Sequence, residues 1–264
     1  MEKYDIKFKK NLGQNFLKDT NIVKRIVNVV TDKDNSLVIE VGPGGGIMTR
    51  ELCQSFNNVL AYEIDESVKD ELNSRIKDFN NIEVIYNDFL KCDISKDIEK
   101  YKYDRLFFIS NVPYYITSPI ILKLINSRVY FNKIVMMVQK EVGDRYTSTP
   151  KNKTYGAISV ILQYFFKIKK EFIVSKGNFI PQPKVDSVVI SFEPIDRKDK
   201  VNDFDKFIKL VNDSFQFKRK ILRNNLKDYD LEKIYTVLKK YGLDLNCRAE
   251  ELPVEIFVEI CNKL

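Results

Sequence analysis

Short apolar runs alternate with helical stretches through residues 37–141, and several of the runs end in glycine, acidic or amide residues. The run at 37–41 leads directly into Gly-Pro-Gly-Gly-Gly at 42–46 and then into a helical pattern. Because strands joined by helical crossovers pair in parallel, this alternation predicts a doubly wound α/β sheet. The predicted strands are residues 37–41, 59–65, 82–86, 105–110 and 133–138, followed by two more at 164–174 and 185–192.

The pattern changes after a polar, charged segment at 194–203, which we interpret as a linker. Beyond it, helical periodicity dominates. The predicted helices are residues 204–211, 219–226, 231–241 and 254–264. We therefore expect two domains, an α/β domain at 1–194 and a small all-helical domain at 195–264.

The composition excludes several kinds of chemistry and location. The 264 residues include no histidine, which excludes Ser-His-Asp and Cys-His mechanisms and any histidine-ligated metal. The four cysteines lack CxxC spacing, so we predict reduced thiols and no metal site. No apolar run approaches the ~20 residues of a membrane span, and residues 1–10 are too charged for a secretory signal. We expect a cytoplasmic monomer with no membrane contact.

The glycine-rich segment E-x-G-x-G-x-G at 40–46 lies where a strand meets a helix, so Gly42 and Gly44 let a ligand approach backbone that a Cβ would block. Glu63 ends the next strand about 20 residues later, where a carboxylate can accept both hydroxyls of a ribose. Asp88 ends the third strand and can accept from an adenine amino group. The loop lacks the G-x-G-x-x-G spacing of dinucleotide sites, so it favours a single nucleoside. The alternative is that the glycines only form a tight turn.

The segment Asn111-Val112-Pro113-Tyr114 follows the fourth strand. An amide oxygen and a backbone carbonyl provide two acceptors for the N–H groups of an exocyclic amine, and an aromatic ring can stack on the base that carries it. Because parallel strands end at one edge of the sheet, we expect this segment to meet the glycine-rich loop.

Basic residues are concentrated in parts of the chain, whose net charge is +7. Residues 100–170 contain 13 Lys or Arg and three acidic residues, and residues 1–30 contain seven and three. A positive field suits a polyanion such as RNA, and the alternative is an ordinary solvated surface. The candidate RNA-binding residues are Lys9, Lys10, Arg145, Lys218, Arg219, Lys220 and Arg223. Their apolar neighbours are expected in the core: Phe215, Phe217, Ile221 and Leu222.

Together these motifs resemble those of the ribosomal RNA adenine N6-dimethyltransferases, enzymes that use S-adenosylmethionine. The resemblance runs nearly end to end. It includes LGQNFL at 12–17, EVGPGGG at 40–46, YEID at 62–65, ND at 87–88, NVPYYITSP at 111–119, QKEV at 139–142, YG at 155–156 and FIPQPKVDS at 179–187. The resemblance implies a Rossmann-like class I methyltransferase domain, with a C-terminal helical domain that binds rRNA.

The resemblance also implies roles for individual residues. Asn15 and Leu17 would lie over the cofactor, although many members have histidine at the position of Asn15. The cofactor-binding residues implied are Asn15, Leu17, Gly42, Gly44, Glu63, Asp88 and Asn111. Asn111 and Val112 would accept from the target amine, Tyr114 would stack on the base, and Phe179 would form the opposite wall.

Three functions stay open at this point. The chain resembles most the branch that dimethylates two adjacent adenines near the 3′ end of small-subunit (16S) rRNA, within the pre-ribosomal particle. The supporting residues are the LG before Gln14, the GPG loop, TSP at 117–119, PKVDS at 183–187 and FKRKILRNNL at 217–226. The second is a large-subunit rRNA methyltransferase that confers macrolide resistance. The third is a ribosome-assembly binding factor whose methylation is secondary.

Overall fold

A computed structural model describes residues 16–264. Its strands are β1 (Phe16–Leu17), β2 (Ser36–Val41), β3 (Asn58–Glu63), β4 (Ile82–Tyr86), β5 (Arg105–Ser110), β6 (Lys133–Gln139), β7 (Phe166–Val174), β8 (Phe179–Ile180) and β9 (Ser187–Pro194). Its helices are α1 (Thr20–Val27), α2 (Ile47–Ser55), α3 (Lys69–Ile76), α4 (Ile94–Ile98), α5 (Thr117–Asn126), α6 (Lys140–Tyr146), α7 (Ala157–Phe165), α8 (Phe204–Ser214), α9 (Leu222–Asn225), α10 (Leu231–Lys240) and α11 (Val254–Lys263).

The main sheet of the described chain has seven strands in the order β4-β3-β2-β5-β6-β9-β7. Strands β4, β3, β2, β5 and β6 pair in parallel, and β9 pairs antiparallel with β6. The chain builds outward from β2 in one direction through β3 and β4, then returns to place β5 on the other side of β2. This reversal is the switch point where open α/β sheets bind ligands. The predicted doubly wound sheet is confirmed, with an antiparallel strand added.

The central strands are buried on both faces, which explains why their sequences are continuous apolar runs. Every residue of β2 is buried, and Leu37, Val38 and Ile39 are fully inaccessible to solvent. At the end of β5, the Ser110 hydroxyl donates to the Val41 carbonyl over 2.5 Å. This bond joins the ends of the two strands on either side of the switch point.

Helix α7 differs from the sequence prediction, which placed a strand from residue 164. Five of its residues are buried, from Ser159 to Tyr164, so apolar residues surround the helix rather than forming one stripe. Short apolar runs without a clear period do not distinguish a buried helix from a strand. The strand β7 begins only at Phe166.

The chain divides into two compact units, each described here by itself. The α/β unit contains the chain up to Gly143 together with residues 169–193, and the helical unit contains residues 144–168 and 194–264. The limit at 193/194 lies one residue from the predicted boundary. Residues 144–168 were assigned to the first domain from sequence, but they pack with the C-terminal helices. Tyr155 illustrates this, since its hydroxyl donates to the Leu252 carbonyl over 3.1 Å.

Within residues 16–264, no helix is both long and apolar enough to cross a membrane. The same residues contain no group of three or more His, Cys, Asp or Glu side chains that could hold a metal ion. The four cysteines, all in the described part of the chain, are unpaired thiols.

Candidate active site

A cavity of about 300 Å³ opens at the carboxyl ends of β2, β3, β4 and β5, within the α/β unit. The residues that line it include the glycine loop after β2, Glu63 at the end of β3, Asp88 after β4 and the segment 111–114 after β5. The structure therefore brings together four motifs that are widely separated in the sequence. Leu17, from the short strand β1, also lines the cavity.

The glycine loop requires its glycines. Gly42, Gly44 and Gly46 have φ values of 72°, 54° and 80°, in the left-handed region that side chains with a Cβ rarely adopt. A Cβ on Gly44 would lie 2.6 Å from Cε1 of Phe16. Gly46 then forms the N-cap of α2. The loop thus turns sharply at the cavity and leaves its backbone uncovered by side chains of its own.

Glu63 holds this loop against the end of β3. Its Oε2 accepts the Gly44 N–H over 2.9 Å, and its Oε1 accepts the Asp65 N–H over 2.8 Å. The side chain is 3% exposed, and burial raises the pKa of its carboxyl, while the two N–H groups act in the opposite direction. Each carboxylate oxygen has a second lone pair, so Glu63 can accept two further hydrogen bonds from a ligand in the cavity.

Asp88 and the β4 end provide a second acceptor. Asp88 Oδ1 accepts the Leu90 N–H over 3.0 Å, which caps the short turn at Phe89–Lys91. Asp88 Oδ2 lies 3.8 Å from Nζ of Lys91, a long and solvent-exposed contact. The cap fixes the orientation of the carboxylate and leaves Oδ2 able to accept from an amino group.

The segment after β5 places an amide and a ring at the cavity. Asn111 follows the buried Ser110, and Val112 is 2% exposed, so its backbone is held in the protein interior. The hydroxyls of Tyr114 and Ser187 share a hydrogen bond of 2.6 Å. Burial raises the pKa of Tyr114, so the phenol is neutral at physiological pH. Ser187 ends the FIPQPKVDS motif, which thereby fixes the ring of Tyr114.

Three exposed apolar side chains at the cavity were not singled out from the sequence. Tyr115 is 61% exposed, Ile64 is 59% exposed and Leu90 is 38% exposed, and all three line the cavity. Exposed apolar side chains at a cavity indicate a ligand with an apolar face. The signal available in the sequence was their position, since each directly follows or nearly follows a residue already assigned to the site.

Phe179 is not among the residues that line the cavity, and its role as the wall opposite Tyr114 stays a prediction. It lies in β8, opposite Leu17 of β1, and is 1% exposed. Its ring packs in the core cluster of the α/β unit with Val23 and Ile109. The side chain is therefore held in the interior by strand pairing, and Tyr115 is the exposed ring adjacent to Tyr114. Asn15 lies outside the described residues, as do Lys9 and Lys10.

The remaining candidate RNA-binding residues lie in the helical unit and are all exposed: Arg145, Lys218, Arg219, Lys220 and Arg223. The expectation that their apolar neighbours lie in the core holds for Leu222, which is fully buried. Phe215 packs against the rings of Tyr155 and Phe257. For Phe217 the expectation is wrong, because 57% of its surface is exposed.

Glu40 lines the cavity and was not assigned a role beyond opening the glycine motif. It is inaccessible to solvent in β2, and within residues 16–264 neither of its carboxylate oxygens has a hydrogen-bond partner. Burial raises the pKa of its carboxyl from 4.5 to about 8; the nearby Thr49 hydroxyl, which makes no hydrogen bond of good geometry to it, acts in the opposite direction, and the charge of Glu63 raises the pKa further. At neutral pH the folded protein therefore holds Glu40 largely protonated.

This protonation has a measurable consequence. The folded chain retains a proton that the unfolded chain releases above pH 4.5, so Glu40 makes the free energy of unfolding fall as pH rises from about 4.5 to about 8. We expect the decrease attributable to Glu40 to reach a few kcal/mol and to disappear in Glu40→Gln. Urea unfolding of both proteins between about pH 5 and about pH 9 measures it. Glu63 is present in both proteins, so its own titration contributes to both. If the free energy of unfolding depended on pH in the same way in both proteins, Glu40 would be ionised in the folded state.

The fold and the cavity define the class of protein. The cavity brings together a glycine loop at the switch point, a carboxylate at the end of the second strand and an acceptor after the third, an arrangement that could hold a nucleoside. Together with the Asn-Val-Pro-Tyr segment, they define a Rossmann-like class I methyltransferase. The sequence profile of the family described as ribosomal RNA adenine dimethylase matches residues 5–264. The chain belongs to this family, as predicted from its motifs.

Comparisons with individual proteins also support membership of this family. A protein of Thermotoga petrophila named ribosomal RNA small subunit methyltransferase A is 43% identical, covering 100% of this chain and 94% of the relative. A protein of the same name from Macrococcus caseolyticus is 37% identical, covering 100% and 92%. The crystal structure of a dimethyladenosine transferase from Plasmodium falciparum is similar, with a TM-score of 0.77 and 28% identity over 92% of this chain and 95% of that one. The 23S rRNA methyltransferase ErmE shares the fold, with a TM-score of 0.72 and 22% identity over 95% and 99%.

Proposed function

We propose that this protein transfers methyl groups from S-adenosylmethionine to N6 of two adjacent adenines near the 3′ end of small-subunit rRNA. The observation that carries the proposal is that Glu63, Asp88 and the segment 111–114 line one cavity. Full-length similarity to proteins named ribosomal RNA small subunit methyltransferase A supports the choice of subunit. The sequence-derived expectations for the cofactor-binding residues fit this proposal, with Asn15 outside the described residues.

The cavity suits S-adenosylmethionine in three respects. Glu63 retains acceptor capacity on both oxygens for the two ribose hydroxyls, while Asp88 can accept from the adenine amino group. The positive φ angles of Gly42 and Gly44 bring bare backbone to the cavity wall. When bound, S-adenosylmethionine would supply a methyl group already activated by its sulfonium, so the sulfur would leave as a neutral thioether without being protonated.

The target amine is a poor nucleophile because its lone pair is delocalised into the adenine ring. The Asn111 side-chain oxygen and the Val112 carbonyl accept its two N–H groups and favour a pyramidal nitrogen. Tyr114 stacks on the base, and Tyr115, being exposed at the same rim, covers it from outside. The base must leave its stack in the RNA to reach this position. The rate then comes mainly from orientation, with attack in line with the departing sulfur.

No strong base is needed for this reaction. The ammonium formed by methyl transfer is acidic enough to lose its proton to solvent, which agrees with a sequence that has no histidine. After the first transfer only one N–H remains on the amine, so the second transfer needs a pocket that admits a methyl group.

The bond between Tyr114 and Ser187 provides a test of ring positioning. We expect Ser187→Ala to lower kcat by about three- to tenfold with cofactor affinity unchanged, because the Tyr114 hydroxyl loses its hydrogen bond to Ser187. Tyr114→Phe should have a similar effect, and the double variant should be no worse than either single one. Single-turnover methyl transfer and calorimetry measure the two quantities.

The control for this prediction lies on the same strand. Ser191→Ala removes a buried hydroxyl of β9 that donates to Glu171, away from the cavity. It should leave kcat unchanged. Additive effects of Ser187→Ala and Tyr114→Phe would show that the bond does not position the ring.

For RNA binding, the exposed basic residues of the helical unit are the candidates. Structured rRNA is recognised mainly through phosphates and shape, with specificity at unpaired nucleotides. Changing Lys218, Arg219, Lys220 and Arg223 to glutamine should flatten the dependence of binding on salt concentration. An unchanged salt slope would assign these charges to a solvated surface.

The proposal is tested by methyl transfer from labelled S-adenosylmethionine to unmethylated small subunits, with large subunits and naked rRNA alongside. Dimethyladenosine found only in small-subunit particles is the expected result. Label in large-subunit RNA would overturn the choice of subunit. Binding of cofactor and subunits without any transfer would favour a binding factor instead of an enzyme.

A further inference from the structure

Phe217 lies between α8 and α9 in the helical unit and exposes 57% of its surface. A large apolar side chain in water costs free energy that burial would recover. Neighbouring apolar side chains in the same segment, Phe215 and Leu222, do turn inward. The outward position of Phe217 therefore needs a local cause.

That cause is Asn225, a buried amide that holds the backbone on both sides of Phe217. Its Oδ1 accepts the Phe217 N–H over 3.3 Å, and its Nδ2 donates to the carbonyls of Ser214 over 2.7 Å and Phe217 over 3.3 Å. The Lys220 N–H also donates to the Phe217 carbonyl over 2.9 Å. The turn is thus closed around a polar core, which leaves the ring outside it.

Positive charge follows the ring along the chain. Lys218, Arg219 and Lys220 follow it directly and are exposed, and none of them forms an ion pair within residues 16–264. Nζ of Lys218 donates to the Lys153 carbonyl, which brings the exposed loop at 151–153, with two further lysines, to the same surface. The surface therefore combines one exposed aromatic ring, carried by a hydrogen-bonded backbone turn, with several cations that have no acidic partner among residues 16–264.

We propose that Phe217 is a stacking platform for one unpaired base of rRNA, whose flanking phosphates contact Lys218, Arg219 and Lys220. The inference rests on the proposed function and adds a contact made by the helical unit. A partner that matches both a flat apolar face and uncompensated cations is a nucleotide, with its π-face and its phosphate. The base must be unpaired, because stacking within a duplex covers both of its faces.

The test compares binding of Phe217 variants to unmethylated small subunits. We expect Phe217→Leu to weaken binding by about tenfold and Phe217→Tyr to bind within about twofold of wild type, because only the aromatic face is needed. The salt slope of Phe217→Leu should equal that of wild type, since no charge is removed. The matched control is Tyr235→Leu on α10, an aromatic residue 44% exposed in the same unit, which should have no effect. Wild-type affinity of Phe217→Leu would overturn the inference.

A photo-cross-link identifies what the ring touches. Phe217→p-benzoyl-phenylalanine should cross-link to a nucleotide of the rRNA in the bound particle, and the same change at Tyr235 should not. A cross-link from position 217 to a ribosomal protein, or no cross-link from a bound and active variant, would overturn the inference. Wild-type methyl transfer is measured alongside. If the wild-type protein methylates small subunits but Phe217→Leu binds them with wild-type affinity, only the stacking role of Phe217 is refuted. If the wild-type protein transfers no methyl groups, the proposed function itself is refuted.

Discussion

Replacing Asn111 by alanine is expected to reduce methyl transfer by roughly 10²- to 10³-fold while S-adenosylmethionine still binds. Asn111 directly follows β5, the strand next to β2 and its glycine loop in the sheet order, and it lines the cavity. Its oxygen is the side-chain acceptor of the segment 111–114 proposed to receive an N–H of the target amine, since the Tyr114 hydroxyl is already hydrogen-bonded to Ser187. Losing it leaves the amine planar and its lone pair delocalised. Turnover under single-turnover conditions, with the cofactor dissociation constant from calorimetry, separates the two effects.

Asn126→Ala is the matched control, because Asn126 is an exposed amide at the end of α5 that does not line the cavity. It should behave as wild type. If Asn111→Ala kept wild-type turnover, Asn111 would have no part in activating the amine. If it lost cofactor binding to the same extent as turnover, its contribution would be to the nucleoside site instead.

Replacing Glu63 by alanine is expected to weaken binding of S-adenosylmethionine by roughly 100-fold or more. Hydrogen bonds to a charged acceptor contribute ~1.5–3 kcal/mol each, and two ribose hydroxyls would lose theirs. The structure adds a second cause, because the same carboxylate accepts the Gly44 and Asp65 N–H groups and so fixes the glycine loop. Calorimetric titration of the variant with S-adenosylmethionine measures the loss, and circular dichroism checks that the sheet is retained.

Two further variants separate the causes. Glu63→Gln keeps one oxygen as an acceptor, so its affinity should lie between those of wild type and Glu63→Ala. Glu66→Ala changes an exposed carboxylate three residues further along and should leave affinity unchanged. A dissociation constant for Glu63→Ala equal to that of wild type would exclude Glu63 from the ribose site.

Much of the fold follows from local patterns. The limits of β2, β4 and β5 match the sequence prediction within one residue, because each strand is a short apolar run bounded by turn or polar residues. The prediction fails where the local signal is ambiguous. Helix α7 is apolar all round, and nothing at residue 143 marks the point where the chain passes from one compact unit to the other.

The sequence alone determined the class of site, because each of its motifs is a short segment at the end of a strand. Glycines, a carboxylate, an Asp and an Asn-Val-Pro-Tyr turn identify their chemistry without any knowledge of their partners. Those partners were decided only by the tertiary structure. Gly44 and Glu63 are 19 residues apart, and Tyr114 and Ser187 are 73 apart, yet each pair is within hydrogen-bond distance. Burial is equally non-local: strand pairing turns Phe179 inward, and a buried amide holds Phe217 in solvent. Both residues are phenylalanines, so the apolar character of the side chain does not determine which of them is buried.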